Sequence, residues 1–351
     1  MSSKTYFIFC FLLLACCAKL YAPTTGSQSD EKKTAVKINK WELFKQNLEN
    51  GKYGAIKDLF IECRGKLLFE KNTSPEKLHP IESVTKSILS IVIGIAVKRG
   101  SIRSMDQKIM EYFPAYKDRA QPGWDAVTIR DLLTMKSGID WQEDLRPEYI
   151  NPVAKMYAAK DIYKYIFSFK ITDRQKFNYS SANAALLSEI MLKATGLSFS
   201  EYANKFLFGP LNITDYKCSC YRNKLDNTSG GLYLKAKDLL KIGELCVEEG
   251  QWQARQIVSK KWMQDSFYPR NKFNEYLDVD AYGYLWWINT GFKVGKENKK
   301  VKLYMANGYN NNHLIVAPAQ RLVVVITGST TVHAEKFLHL VRDVLLNLES
   351  K

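Results

Sequence analysis

The chain has 351 residues, 46% hydrophobic and 25% charged, a globular balance with enough apolar matter for a substantial core. That composition excludes a disordered, collagenous or multi-spanning membrane protein. A formal charge of +15 is scattered, with no zinc-finger spacing, RNP-like stretch or arginine-rich block, so nucleic acid is not an expected partner.

Lys4 followed by the apolar run Tyr6 to Cys17 has the form of an export signal, and the run is too short to cross a bilayer as a helix. Within it, Leu13-Leu14-Ala15-Cys16 resembles a bacterial lipoprotein cleavage box, in which Cys16 becomes the lipid-bearing first residue and tethers the protein to a membrane. Cleavage of a simple leader near Ala22 is the alternative. Both readings put the mature protein outside the cytoplasm, in the periplasm or on a bacterial membrane. Residues 1–22 are thus the export signal, 23–40 a polar, aperiodic tether and 41–351 the folded domain.

Trp41 to Leu48 has the apolar spacing of a helix, and Ala55 to Glu70 reads as two strands joined at Arg64-Gly65. Ser83 to Lys98 is an almost wholly apolar helix that must be buried on most sides. Helical patterns dominate residues 105–224, among them Thr128 to Lys136, opened by a capping pattern at Thr128 and Asp131 and stopped by Gly138. Strand patterns return at Tyr282 to Ile288, Lys300 to Met305, His313 to Val316 and Leu322 to Thr327, and His333 to Leu348 closes the chain with helical spacing. The expected fold class is α+β: an antiparallel sheet and its flanking helices drawn from residues 41–104 and 225–351, with an all-helical region over 105–224 inserted between them.

Cys63, Cys218, Cys220 and Cys246 follow the leader, and sequence does not decide whether they pair. Cys218-Ser219-Cys220 is not a CxxC motif and the histidines are His79, His313, His333 and His339, so no metal or other cofactor is expected. His313, at a strand start, reads as structural.

Ser-x-x-Lys places a hydroxyl and an amine on one face of a helix. Copies start at Ser29, Ser74 and Ser83; the first lies in the tether, the second precedes Pro75, and the third alone opens a buried helix. A lysine in such a helix either snorkels to solvent or is desolvated. Desolvation would depress the pKa of Lys86 and fit it to assist proton removal from Ser83, which as the helix N-terminal residue also gains the positive dipole end.

Here the chain resembles the penicillin-recognising serine hydrolases, in the branch with class C β-lactamases, DD-peptidases, related esterases and nylon-oligomer hydrolases. The resemblance is carried by Ser83-Val84-Thr85-Lys86, by Val127 to Gly138, by Gly230-Gly231-Leu232-Tyr233 and by Tyr282 to Trp287, in that order. It implies a β-lactamase-like fold over most of the mature chain. The family's Tyr-x-Asn element is matched by Tyr179 but has Ser181 in place of asparagine, with Asn183 as an open substitute. The family's Lys-Thr-Gly or His-x-Gly strand element is matched by Ala306-Asn307-Gly308, which keeps the glycine and loses the cation.

The resemblance implies that Ser83 attacks a carbonyl, that Lys86 and Tyr179 manage its proton, and that the Ser83 and Tyr309 backbone N–H groups form the oxyanion hole. Ser181, Asn307 and Gly308 become the substrate-binding positions. Without a cation at position 306 the site lacks a grip on a substrate carboxylate, which argues against efficient β-lactamase action. The expected activity is cleavage of a small-molecule ester or amide, or of a peptide, through an acyl-enzyme. A DD-peptidase or β-lactamase, or a non-catalytic binding protein that keeps the fold, are the alternatives, and the oligomeric state is left open.

Overall fold

The computed structural model describes residues 39–143, 151–174, 176–276, 279–329 and 336–348. Cys16 and the expected export signal lie outside them, as does His333. Helix α1 (Lys40–Glu49) buries Phe44 in an aromatic nest, with ring centroids 5.5 Å from Trp41 and 5.4 Å from Phe69. Strands β1 (Ile56–Cys63) and β2 (Lys66–Lys71) follow, joined where Arg64 and Gly65 both take positive φ, 56° and 72°. Two left-handed residues in succession match the twist of a tight hairpin.

The short strand β3 (His79–Pro80) leads into α2 (Val84–Lys98), in which every residue from Val84 to Ala96 is buried. The helical region then supplies α3 (Ile129–Leu133), α4 (Pro152–Ala158), α5 (Ile162–Phe167), α6 (Ser181–Thr195) and α7 (Phe199–Ala203). Strands β4 (Lys217–Cys218) and β5 (Leu232–Leu234) join β3 in a small sheet ordered β3-β5-β4. Next come α8 (Ala236–Val247), the hairpin β6 (Gln251–Trp252) and β7 (Arg255–Gln256), and α9 (Lys260–Ser266). The chain then builds β8 (Asn271–Tyr276), β9 (Val279–Tyr282), β10 (Trp287–Val294), β11 (Lys299–Gly308), β12 (Asn312–Ala317) and β13 (Leu322–Gly328), and ends in α10 (Lys336–Leu348).

The main sheet has eight antiparallel strands in the order β2-β1-β13-β12-β11-β10-β9-β8, so the two ends of the chain meet at the β1–β13 pair. Strand β13 shows why the sheet needs helices on both faces: Val323 and Val325 belong to the core shared with α2 and α8, while Leu322, Val324 and Ile326 belong to the core under α10. A strand buried on both sides reads as an unbroken apolar run.

Two expectations need correction. The strand over Tyr282 to Ile288 is split, because β9 ends at Tyr282 and β10 begins at Trp287. Leu285 between them has φ 59° and donates its N–H to the Leu133 carbonyl at 2.9 Å, which draws this turn onto α3. The helix over Thr128 to Lys136 is shorter, because Met135 takes φ 57° and turns the chain away. Its capping box forms as expected: Asp131 N–H donates to Thr128 Oγ1 at 3.2 Å, and Thr128 N–H to Asp131 Oδ2 at 2.9 Å. No disulfide joins Cys63, Cys218, Cys220 and Cys246 among the described residues.

Candidate active site

Ser83 stands immediately before α2, at the end of a segment held by β3 and by the Ile81 N–H bond to the Leu232 carbonyl, 3.0 Å. Glu82 takes φ 51°, an uncommon conformation for a residue with a side chain, and redirects the chain into the helix. One turn on, Lys86 is 1% exposed and donates from Nζ to Ser83 Oγ at 2.9 Å and to the Ser229 carbonyl at 2.5 Å. The lysine therefore does not snorkel.

Ser229 is itself braced. Its single hydroxyl hydrogen goes to Asn227 Oδ1 at 2.7 Å, so the hydroxyls of Tyr221, at 3.1 Å, and Tyr157, at 2.9 Å, donate to its oxygen. These tyrosines come from different stretches of the helical region and close the site behind Lys86.

Tyr179 enters from the residues that precede α6. Lys86 Nζ lies 5.1 Å from its ring centroid, and the ring stacks on Trp287 at 5.4 Å and 24°. Tyr282 meets it edge-on at 6.4 Å. Ser83, Lys86 and Tyr179, drawn from two separate parts of the chain, thus converge on one point.

The electrostatics differ from expectation. Burial is the largest single influence on Lys86 and acts to lower its pKa, but the Tyr179 phenol, the Glu143 carboxylate and Tyr157 together outweigh it, and the net shift is upward. Lys86 is therefore held as an ammonium, and the expected depressed pKa is corrected. Charged, it donates to Ser83 and has no lone pair with which to take the serine proton.

Glu143 was not singled out by sequence. It accepts from the Ser181 N–H at 2.7 Å, from Ser181 Oγ at 2.8 Å and from Trp141 Nε1 at 3.1 Å, capping α6 beside Tyr179. Ser181 therefore sits beside the convergence point with its hydroxyl given to Glu143. Asn183 is fully buried, accepts from Ser137 Oγ at 2.8 Å and lies against Met135 Sδ, so it does not stand in for the asparagine.

At the end of β11, a Cβ on Gly308 would lie 2.5 Å from the Ile81 carbonyl oxygen and 3.2 Å from Glu82 Cβ. The glycine is what lets β11 close onto the chain entering Ser83. Among the described residues, the N–H groups of Ser83 and Tyr309 have no acceptor, which leaves both ready for a ligand oxygen. Asn312 Nδ2 donates to the Tyr309 carbonyl at 2.7 Å and to the Pro80 carbonyl at 3.3 Å, tying the strand end to the same segment.

Ala306 is buried in the core shared with α2. Asn307 is not brought to Ser83: it pairs across the strands with His313, and its Oδ1 lies 3.0 Å from His313 Nδ1, beneath the terminal helix. Strand alternation puts neighbouring residues on opposite faces, which is why Asn307 turns away from the face that Ala306 and α2 share. A separate charged cleft whose lining includes Glu76, Asp215 and Lys235 contains none of these residues, and Lys235 is paired with Glu76 and Asp215.

A broad antiparallel sheet under helices, a Ser-x-x-Lys helix opening beside the end of β11 and a tyrosine from the inserted helical region define the β-lactamase-like fold class. The chain belongs to the Beta-lactamase family, whose model matches residues 65–346. It is 24% identical over 227 residues to a 6-aminohexanoate-dimer hydrolase of Paenarthrobacter ureafaciens, covering 59% of this chain and 56% of that protein, little more than half its length. Among solved structures, a class C beta lactamase from Rhodobacter sphaeroides superposes with TM-score 0.66 at 14% identity, over 89% of this chain and 99% of that one. A D-amino acid amidase from Ochrobactrum anthropi SV3 gives TM-score 0.66 at 15% identity, over 89% and 98%. At such identities the structural likeness speaks for the fold. The chain thus carries the fold of the Beta-lactamase family.

Proposed function

We propose that the protein is an exported serine hydrolase that cleaves an ester or amide through an acyl-enzyme on Ser83. The observation that carries this reading is the contact of Ser83 Oγ with a fully buried Lys86 at 2.9 Å, under the ring of Tyr179. Ser83 Oγ bonds to the substrate carbonyl carbon while its proton passes to the Tyr179 oxygen acting as a phenolate, whose charge the adjacent Lys86 ammonium balances while holding both groups in place. The carbonyl oxygen, now an oxyanion, is received by the Ser83 and Tyr309 N–H groups. As the C–O or C–N bond breaks, Tyr179 returns the proton to the leaving alcohol or amine. Water then attacks the acyl carbon, gives its proton to Tyr179, and Ser83 recovers it as the acid departs.

The relatives whose names specify amide substrates favour small-molecule amides or peptides beside esters. Alanine at position 306 weighs against donors that need a cation to hold a carboxylate. The leader motif supports export with a lipid tether through Cys16, which fatty-acid labelling of wild type against Cys16→Ala tests. The central test is turnover of p-nitrophenyl esters, amino-acid amides and nitrocefin by wild type and Ser83→Ala. Ester or amide hydrolysis that disappears in the variant is expected, and activity that survives Ser83→Ala rejects the reading.

A further inference from the structure

We propose that His313 is a positioning residue for the oxyanion hole, fixing through Asn307 and Asn311 the hairpin that presents the Tyr309 N–H. This rests on Ser83 being the nucleophile as proposed above. Strands β11 and β12 pair Asn307 with His313 and Gly308 with Asn312, leaving Tyr309 to Asn311 as the connecting loop. Asn310 and Asn311 both take left-handed backbone, φ 60° and 61°, a conformation asparagine tolerates but other contacts must hold.

The imidazole supplies that hold. His313 is 5% exposed, its Nδ1 is 3.0 Å from the Asn307 carboxamide and its Nε2 is 3.0 Å from that of Asn311, so one ring bridges the two sides of the loop. Phe337 of α10 stacks against the ring at 4.0 Å and 20°, closing it from solvent. Burial pushes the His313 pKa down to about 3, so the ring is neutral, with one N–H and one lone pair. Both contacts are to carboxamide oxygens, Asn307 Oδ1 and Asn311 Oδ1; the neutral ring donates to one of them, and a half-turn of the other amide group brings its Nδ2 to the remaining lone pair and completes the bridge. The Asn312 bond to the Tyr309 carbonyl holds the same loop a second time.

Deleting the bridge leaves two half-buried carboxamides without their partner and frees the loop to drift. A shift of about 1 Å in a positioned group costs up to about 100-fold in rate. The oxyanion contact exists in the transition state, so the loss belongs in kcat and not in KM.

The experiment compares wild type, His313→Ala, His313→Gln and Phe337→Leu on an activated ester, with fluorophosphonate labelling and thermal unfolding alongside. Expected for His313→Ala is a kcat about 10- to 100-fold lower, with KM within about threefold of wild type. His313→Gln, which keeps a donor and an acceptor, recovers most of the loss. Phe337→Leu melts earlier, as a packing defect should, and keeps kcat within about threefold. If His313→Ala does not fold, His313→Met, which fills the space but cannot bridge the carboxamides, takes its place with the same expectation. Wild-type kcat in the folded His313 variant, a loss confined to KM, or an equal kcat loss in Phe337→Leu overturns the inference. A wild type that is neither labelled nor active overturns the Ser83 reading, and this inference with it.

Discussion

Replacing Gly308 by alanine tests how the end of β11 builds the oxyanion hole. The new methyl group would sit 2.5 Å from the Ile81 carbonyl oxygen, 3.2 Å from Glu82 Cβ and 3.3 Å from Asn312 Cβ. The Ile81 carbonyl is not free to swing aside, since it accepts from Val84 N–H and its own residue's N–H is bonded to Leu232. Relief to an ordinary contact of about 3.5 Å therefore requires β11 to retreat by about 1 Å, carrying the Tyr309 N–H with it. Overpacking of this kind costs about 1–3 kcal/mol of stability. Loss of one oxyanion donor costs about 2.7–4 kcal/mol in the transition state, about 10²–10³ in kcat. Steady-state kinetics on a p-nitrophenyl ester, with circular dichroism melting as the folding control, reads both effects. A folded Gly308→Ala enzyme with kcat within about threefold of wild type would refute the assignment of this strand end to the oxyanion hole.

Three further outcomes follow from the geometry. Lys86→Met removes a buried ammonium and fills its space with apolar atoms, so kcat should fall by about 10²–10⁴ while the melting temperature holds or rises; a melting temperature that collapses with activity would make the lysine structural. Tyr179→Phe keeps the stack on Trp287 and the ring over Lys86, so an unchanged fold with kcat lower by about 10²–10⁴ is expected, and near-wild-type turnover would remove Tyr179 from the proton path. Burial, then a hydrogen bond to Glu62 and the charge of that residue, raise the pKa of Glu244 to about 7 from 4.5. The folded state thus holds this proton more tightly than the unfolded chain, and stability falls as pH rises from 4.5 to about 7. Glu244→Gln should match wild type near pH 4 and exceed it at pH 8 by about 1 kcal/mol after solvent screening, as followed by urea unfolding at both pH values; equal stability at pH 8 would contradict the shared-proton pair.

The parts of the site that follow from local periodicity were legible in the sequence. Ser83 and Lys86 are one helical turn apart in a helix whose burial its composition demands, and the Thr128–Asp131 capping box is a four-residue pattern that forms as written. Tyr179 and Gly308 were found through resemblance, since nothing in a tyrosine or a glycine alone announces what it meets across the fold. Of the groups that set the charge of Lys86, Tyr179 came with the resemblance, whereas Glu143 and Tyr157 were not legible, nor was the carbonyl that holds its ammonium. The Ser229 contact is made by a backbone carbonyl 143 residues away in sequence, and any residue type supplies one. Glu143 is an ordinary carboxylate until Ser181, where the family has asparagine, donates to it twice. Missing these, a reading from burial alone gives Lys86 the wrong direction of shift. The split at Leu285 was hidden for a related reason: an apolar aromatic run looks like strand, and the turn depends on a bond to Leu133 far upstream.

The account stands or falls on Ser83 as the point of covalent attachment. Mass spectrometry of the protein quenched after incubation with an activated ester or a fluorophosphonate should show one added acyl or phosphonyl group, mapped to the peptide containing Ser83 and missing from Ser83→Ala. An adduct on another residue, or turnover by folded wild type with Ser83 never modified, would contradict it.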